Sequence, residues 1–196
     1  MALTHGTVRI RACTESDLPA IREIIEYYVD NTVVTLAFTP PSCGEVRESW
    51  EKSTNQGLPY LVAVHDNSDT ALGFCYAAEF RGGGGRGGYR HTVELSLFCH
   101  PDYVGRGVGS LLLQQLVETL KAPEDFPRHI SVPRRENQKV RVLLACMSVD
   151  ETSWRGGLGL RDFYVKHGFE EVGHMKKVGN KFDRWIDTLY LQLSLW

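Results

Sequence analysis

Leu97-Phe98-Cys99-His100-Pro101-Asp102-Tyr103-Val104-Gly105-Arg106-Gly107-Val108-Gly109-Ser110-Leu111 runs from an apolar strand through spaced glycines into a helix. A turn of this kind leaves several backbone N–H groups without partners inside the helix. The helix dipole adds partial positive charge at the same place. With no Cβ at 105, 107 and 109, the backbone can come close to a phosphate, so a diphosphate is the ligand this turn predicts. A Walker A loop is excluded, because Gly-Lys-Ser/Thr does not follow at its spacing. The dinucleotide pattern Gly-x-Gly-x-x-Gly also fails, since Leu112 stands where Gly107 and Gly109 would require glycine. A strand–helix connection with no ligand is the competing reading.

Working outward, the strand before the turn spans His91 to Cys99, and the helix after it carries Leu111, Leu112, Val117 and Leu120. Upstream, Leu58–His65 and Ala71–Phe80 are apolar runs separated by Asp66-Asn67-Ser68-Asp69-Thr70, which predicts a hairpin. Further upstream, Thr7–Arg11 alternates like a half-buried strand. Leu18, Ile21, Ile24, Ile25 and Tyr28 then follow Ser16-Asp17 at helical spacing. Ser42-Cys43-Gly44-Glu45 has the spacing of a capping box and predicts a second helix, with Val46 and Trp50 on its apolar face and an end near Gln56-Gly57. Downstream, Val140–Val149 is a central strand, Leu158–His167 a helix stopped by Gly168, and Glu170–Val178 and Trp185–Leu195 two closing strands. One α/β domain over 1–196 follows, with about seven strands flanked by helices.

Composition narrows the function classes. The formal net charge of −2 offers no basic field for nucleic acid. Arg81–Gly88 looks superficially like an RGG segment, but two arginines without interleaved aromatics make a weak nucleic-acid signal. No run approaches the roughly 18 apolar residues of a membrane span, and Met1–Arg11 has no apolar leader core. Five widely spaced cysteines without a Cys-x-x-Cys pair predict neither a zinc site nor a redox dithiol. Cys75, Cys99 and Cys146 read as small buried thiols, and a reducing, cytoplasmic location is expected.

The run around Val104–Gly109 resembles motif A of the GNAT acetyltransferase superfamily, Arg/Gln-x-x-Gly-x-Gly/Ala. Tyr89-Arg90-His91-Thr92-Val93-Glu94, Leu58-Pro59-Tyr60-Leu61-Val62-Ala63 and Val178–Thr188 are similar to the phosphinothricin acetyltransferase branch. The likeness covers about Val8 to Leu193. It implies a GNAT fold with a mixed, mostly antiparallel sheet, and acetyl-CoA as co-substrate with no metal. The cofactor residues it implies are Leu97, Phe98, Cys99, Val104, Gly105, Arg106, Gly107, Val108, Gly109 and Ser110. The first motif position holds Val104 in place of Arg or Gln, so one side-chain contact is missing while the backbone cradle stays.

Acetyl transfer to an amine needs a base for the amine, donors for the developing oxyanion and a proton for the departing thiolate. Strand alternation puts Glu94 and Ser96 on the face opposite Val93, Leu95 and Leu97. In the family this acid is the proposed base; on pattern alone it could be a solvated strand residue. Tyr164 is implied as the proton donor, with a packed core aromatic as the other reading. His167 lies three positions from the histidine of some relatives and inherits no role. Backbone N–H groups near Leu97 or Phe98 would serve the oxyanion. The resemblance also implies splayed strands at 91–99 and 142–149 that take the pantetheine arm between them.

Arg81, Tyr89 and Arg90 flank the glycine loop, and Lys181 and Arg184 lie in the late signature; these are the substrate-binding candidates, an arginine fork suiting a carboxylate or phosphinate. The expected acceptor is the primary amine of a small molecule. The alternatives are a protein lysine or N-terminal acetyltransferase and a CoA-binding pseudoenzyme. Cys99 has no histidine–carboxylate pair to make it an acyl carrier. The apolar run Leu189–Trp196 suits either a homodimer interface or a completed internal sheet.

Overall fold

The computed structural model describes residues 8–66, 68–82, 87–130 and 132–196. Met1–Thr7, Asn67, Gly83–Arg86 and Ser131 fall outside them, and with them the start of the first strand, one turn residue of the hairpin and the middle of the glycine loop.

In chain order the elements are β1 (Val8–Ala12), α1 (Leu18–Asn31), α2 (Cys43–Asn55), β2 (Tyr60–His65), β3 (Ala71–Glu79), β4 (Thr92–Cys99), α3 (Val108–Lys121), β5 (Val142–Val149), α4 (Gly159–Lys166), β6 (Glu170–Lys181) and β7 (Arg184–Ser194). The strands form one sheet in the order β1-β2-β3-β4-β5-β7-β6. Every pairing is antiparallel except β4 with β5. That mixed, mostly antiparallel α/β sheet matches the sequence expectation.

Local chemistry sets the helix ends. Ser42 Oγ accepts from the Glu45 amide at 3.2 Å, and the Glu45 carboxylate accepts from the Ser42 amide at 2.8 Å. The capping box therefore fixes where α2 starts. At the other end of α4, Gly168 takes a left-handed φ of 88° and stops the helix.

The sheet carries a core on each face. On one side α3 and α4 bury Val108, Leu112, Leu113, Leu116, Leu120 and Tyr164 against Val93, Leu95, Leu143, Ala145 and Leu191. On the other, α1 and α2 bury Leu18, Ile21, Ile24 and Val46 against Tyr60, Val62, Val64 and Phe74. The buried stripe of α3 is thus broader than the one read from sequence, and Leu111 is only half buried.

Three differences from the sequence reading have clear causes. β6 runs on to Lys181, because Phe182 and Asp183 both adopt positive φ (52° and 56°) and close a two-residue hairpin onto Arg184. Cys146, expected to be buried, is exposed, because β5 carries it on the face that α3 and α4 do not cover. Leu189, Leu191 and Leu195 are buried where β7 lies between β5 and β6, so a completed internal sheet accounts for that apolar run.

Candidate active site

β4 and β5 stay paired only from Thr92–Val142 to Leu95–Ala145. Beyond that point β4 keeps its partner β3 as far as Cys99, and β5 keeps β7 as far as Val149. The strands therefore part, and their facing edges at 96–99 and 146–149 have no strand partner among the described residues. Unpaired backbone groups along such a split can accept an extended polar chain as an added strand.

The glycine turn lies just past the split. Gly105 and Gly107 have φ of 75° and 90°, and a Cβ built on either meets nothing within 4 Å. Gly107 is the left-handed N-cap of α3. Among the described residues no carbonyl accepts from the amides of Gly105, Gly107, Val108 or Ser110. Unpartnered amides at a helix N-terminus, with open space over Gly105 and Gly107, are the arrangement that suits a phosphate.

Gly109 plays another part. A Cβ there would sit 3.4 Å from Cys99 Sγ, 3.6 Å from Leu97 Cδ2 and 3.8 Å from Phe163 Cζ. A Cβ there would fall at ordinary contact distance from β4 and α4, so this glycine faces the packed interior and opens no room for a ligand. Val104 is exposed at the outer side of the turn, and the Arg106 guanidinium lies 5.3 Å from the centre of the Tyr103 ring. At the strand end, Tyr28 Oη donates to the Cys99 carbonyl at 2.8 Å and Phe98 stacks on Phe74 at 5.5 Å. Burial pushes the Cys99 thiol up to about 11, against the pull of the Gly109 amide. It is a poor nucleophile in this setting.

Glu94 lies on the face opposite α3, between Ala78 of β3 and Leu144 of β5, where the two parallel strands are about to part. It is half buried, and burial raises its pKa above the usual carboxylate value. Two groups that the sequence reading did not single out share this face. Tyr190 pairs with Cys146 across β7 and β5, and its hydroxyl, bonded to the Cys146 sulfur and partly buried, is held up at about 12. The charge of Glu94 pushes Tyr190 the same way and that of Arg81 opposes it, so Cys146, Glu94 and Arg81 all lie within electrostatic reach of Tyr190. The signal was available: the alternation of β7 puts Thr188, Tyr190 and Gln192 on one face.

Arg81 adopts a left-handed φ of 55° at the end of β3. Its guanidinium lies 5.4 Å from the Phe80 ring centre and 5.6 Å from that of Tyr89. Arg90 is tied to backbone, donating to Asn137 O and Gly87 O, both at 2.9 Å. The remaining two cations are not gathered here. Lys181 is 2% exposed and its ammonium donates to Val29 O at 2.6 Å and Thr35 O at 2.9 Å. It pins the end of α1 from beneath, so its side chain is turned away from solvent. Arg184 is held by Asp150 Oδ1 at 3.1 Å and Thr152 Oγ1 at 3.0 Å. Asp150 is six residues beyond Leu144, about 20 Å along an extended chain.

Tyr164 is buried between α4 and the sheet, close enough to Cys75, Cys99 and Cys146 to feel their charges. Burial, more than those thiols, drives its phenol pKa well above the usual value. Among the described residues nothing hydrogen-bonds its hydroxyl. It is therefore a protonated donor with its bond still to be made.

The chain matches the acetyltransferase (GNAT) family model over residues 21–169. It is 35% identical over 193 residues to a phosphinothricin N-acetyltransferase of Alcaligenes faecalis, covering 98% of this chain and 85% of that one. It is 33% identical over 187 residues to an L-methionine sulfoximine/L-methionine sulfone acetyltransferase of Pseudomonas paraeruginosa, covering 95% and 94%. Its fold superposes on a phosphinothricin acetyltransferase from Sinorhizobium meliloti, solved with acetyl-CoA, with a TM-score of 0.77 at 32% identity, covering 96% of this chain and 88% of that one. Split strands, a glycine-capped helix and these likenesses converge: the chain belongs to the GNAT acetyltransferase family and is an acyltransferase.

Proposed function

We propose that this enzyme moves the acetyl group of acetyl-CoA to the primary amine of a small molecule, an amino-acid analogue of the kind that phosphinothricin and methionine sulfoximine represent. The observation that carries the reading is the position of Glu94: half buried, raised in pKa, beside the split between β4 and β5 and on the face that also carries Tyr190, which feels both Glu94 and Arg81. The fold has room for the co-substrate. Open space over Gly105 and Gly107 with unpartnered amides suits the diphosphate, and the unpaired strand edges suit the pantetheine amides.

Acetyl-CoA supplies the acyl group as a thioester. Glu94 takes a proton from the acceptor ammonium, directly or through one water, so that the neutral amine can attack, and its raised pKa makes it a stronger base. As the nitrogen–carbon bond forms and the carbon–sulfur bond breaks, the Tyr164 hydroxyl gives its proton to the departing sulfur, and the second proton shed by the nitrogen is passed through solvent to restore the phenol. Free N–H groups of β4 beyond Leu95 bind the oxygen where negative charge gathers. Arg81 offers its fork to an acceptor carboxylate or phosphinate, with Tyr89 packed against it.

The five cysteines are free thiols, which fits a reducing cytoplasm. Among the described residues no helix is long and apolar enough to cross a membrane. A homodimer is the assembly we infer, since Val172, Val178, Phe182 and Trp185 are exposed on the β6–β7 hairpin. A monomer by sedimentation at working concentration would remove that inference.

The test of function is CoA release from acetyl-CoA against a panel: phosphinothricin, methionine sulfoximine, ordinary amino acids, polyamines, and peptides with free N-termini or lysines. The proposal expects an amino-acid analogue to give the highest kcat/KM. Peptides outrunning every small amine would replace it with the protein-acetyltransferase reading.

A further inference from the structure

We propose that Arg134, in the connection between α3 and β5, is a positioning residue that sets the acceptor side of the site. Its side chain is nearly buried, and its guanidinium reaches four acceptors from separate stretches of chain. Nε donates to Gln138 O at 2.8 Å, Nη1 to Gln56 O at 3.3 Å, and Nη2 to Arg90 O at 2.9 Å and to the Glu79 carboxylate at 3.3 Å. The second Glu79 oxygen accepts from Gln56 Nε2 at 3.0 Å.

Glu79 and Arg90 stand at the two ends of the segment that joins β3 to β4, and Arg81 and Tyr89 lie just inside those ends. One guanidinium thus grips both ends of the stretch that carries the substrate-facing candidates. A second set of bonds runs alongside. Arg90 Nε donates to Asn137 O at 2.9 Å, His91 Nδ1 meets Lys139 O at 2.7 Å, and the Arg141 amide donates to His91 O at 2.8 Å. Arg90 and His91 are therefore zipped to the α3–β5 connection immediately before the strand that bears Glu94.

A planar fork with five donors can serve four acceptors in fixed directions; a lysine, with three donors at one point, cannot. Glu94 depends on none of this, because backbone pairing with β3 and β5 holds it. The glycine cradle lies at the opposite end of β4. Cutting the fork should therefore weaken acceptor binding and spare both acetyl-CoA binding and the chemical step. The inference rests on the reading that the acceptor meets Glu94 beside Arg81 and Tyr89.

The experiment compares Arg134→Gln, Arg134→Lys and Glu79→Gln with wild type on the best acceptor of the panel. Arg134→Gln should raise the acceptor KM by about tenfold or more, since displaced positioning groups cost on that scale. kcat should stay within roughly threefold and the Kd for acetyl-CoA within about twofold, the pattern of lost uniform binding. Arg134→Lys should fall between, and amide exchange at 87–92 should speed up in step. A folded Arg134→Gln with unchanged acceptor KM overturns the proposal, as does an equal loss of acetyl-CoA affinity. If that variant does not fold, unchanged acceptor KM in both Arg134→Lys and Glu79→Gln overturns it. If wild type acetylates no amine, the reading of the site has failed, and unchanged exchange at 87–92 in the variants then rejects the clamp separately.

Discussion

Alanine at Gly107 should weaken acetyl-CoA binding and alanine at Gly109 should be nearly neutral, although both glycines belong to one motif. Gly107 is left-handed at φ 90°, a conformation that costs a residue with a Cβ about 1–2 kcal/mol. The packing adds nothing, because a Cβ there meets no protein atom within 4 Å. Relief of the strain would turn the unpartnered amides at the start of α3. Losing one hydrogen bond to a charged oxygen is worth about 1.5–3 kcal/mol, so the Kd for acetyl-CoA should rise roughly tenfold to a hundredfold. Gly109 is inside the helix with an ordinary φ, and its added Cβ would make contacts of 3.4–3.8 Å, ordinary van der Waals distances. Alanine is the better helix former by about 1 kcal/mol, which offsets any small shift of Cys99. Gly109→Ala should melt within a few degrees of wild type and bind acetyl-CoA within about threefold. Gly105→Ala, at φ 75° in open space, should follow Gly107→Ala. Calorimetric titration with acetyl-CoA, paired with a melting curve, reads both quantities. Equal loss of affinity in the Gly109 and Gly107 variants, or wild-type affinity in Gly107→Ala, would refute the reasoning that φ and free amides, not glycine count, make the cradle.

Other outcomes follow from the same geometry. Tyr164→Phe removes a hydroxyl without a protein partner, so stability should hold within about 1 kcal/mol while kcat drops roughly a hundredfold; an unchanged kcat would leave Tyr164 a packing residue. Lys181→Met should cost about 1–3 kcal/mol by stranding the Val29 and Thr35 carbonyls, with the acetyl-CoA Kd within about threefold. A raised acceptor KM at full stability would instead restore Lys181 as a substrate contact. Burial alone would raise the Asp17 carboxyl, but Arg11 at 2.6 and 2.8 Å and the Thr14 amide at 2.7 Å hold it below its usual value. Its folded pKa being depressed, the stabilisation is present above the unfolded pKa near 4 and is lost as pH falls through the folded one. Asp17→Asn should lower the melting temperature by about 5–10 °C at pH 7, and the gap should close as pH drops below about 4.

Much of the fold could be read from short-range chemistry. The Ser42–Glu45 capping box, the hairpin around 66–70 and the strand–glycine–helix run each name their structure through local bonding rules. The turn at Phe182-Asp183 did not show, because Phe182 is not one of the glycine, asparagine or aspartate residues that a turn with two positive φ values favours, and the pairing of β6 with β7 imposes it. Cys146 was misread because an apolar run hides which face of β5 is covered, and only α3 and α4 decide that. Lys181 was read as a substrate-binding candidate, since a sequence cannot show that two carbonyls 146 and 152 residues away will receive its ammonium. The face that Glu94 occupies was legible from alternation, while its role as base comes from the resemblance. The face of Tyr190 could be read from the alternation of β7 but not its partners, and Arg134 could not be read at all, as its meaning comes from acceptors on other elements.

The central claim is that the carboxylate on β4 removes the proton of the acceptor amine. It is tested most directly by the pH–rate profile of acetyl transfer for Glu94→Gln beside wild type, on the acceptor with the highest kcat/KM. Burial raises the Glu94 pKa, so the wild-type rate should fall as pH drops through that raised value, where the carboxylate becomes protonated. Glu94→Gln should be slower by about 10²-fold or more at neutral pH and should lose that acid limb, with acetyl-CoA still binding. A variant that matches wild type at every pH would contradict the account.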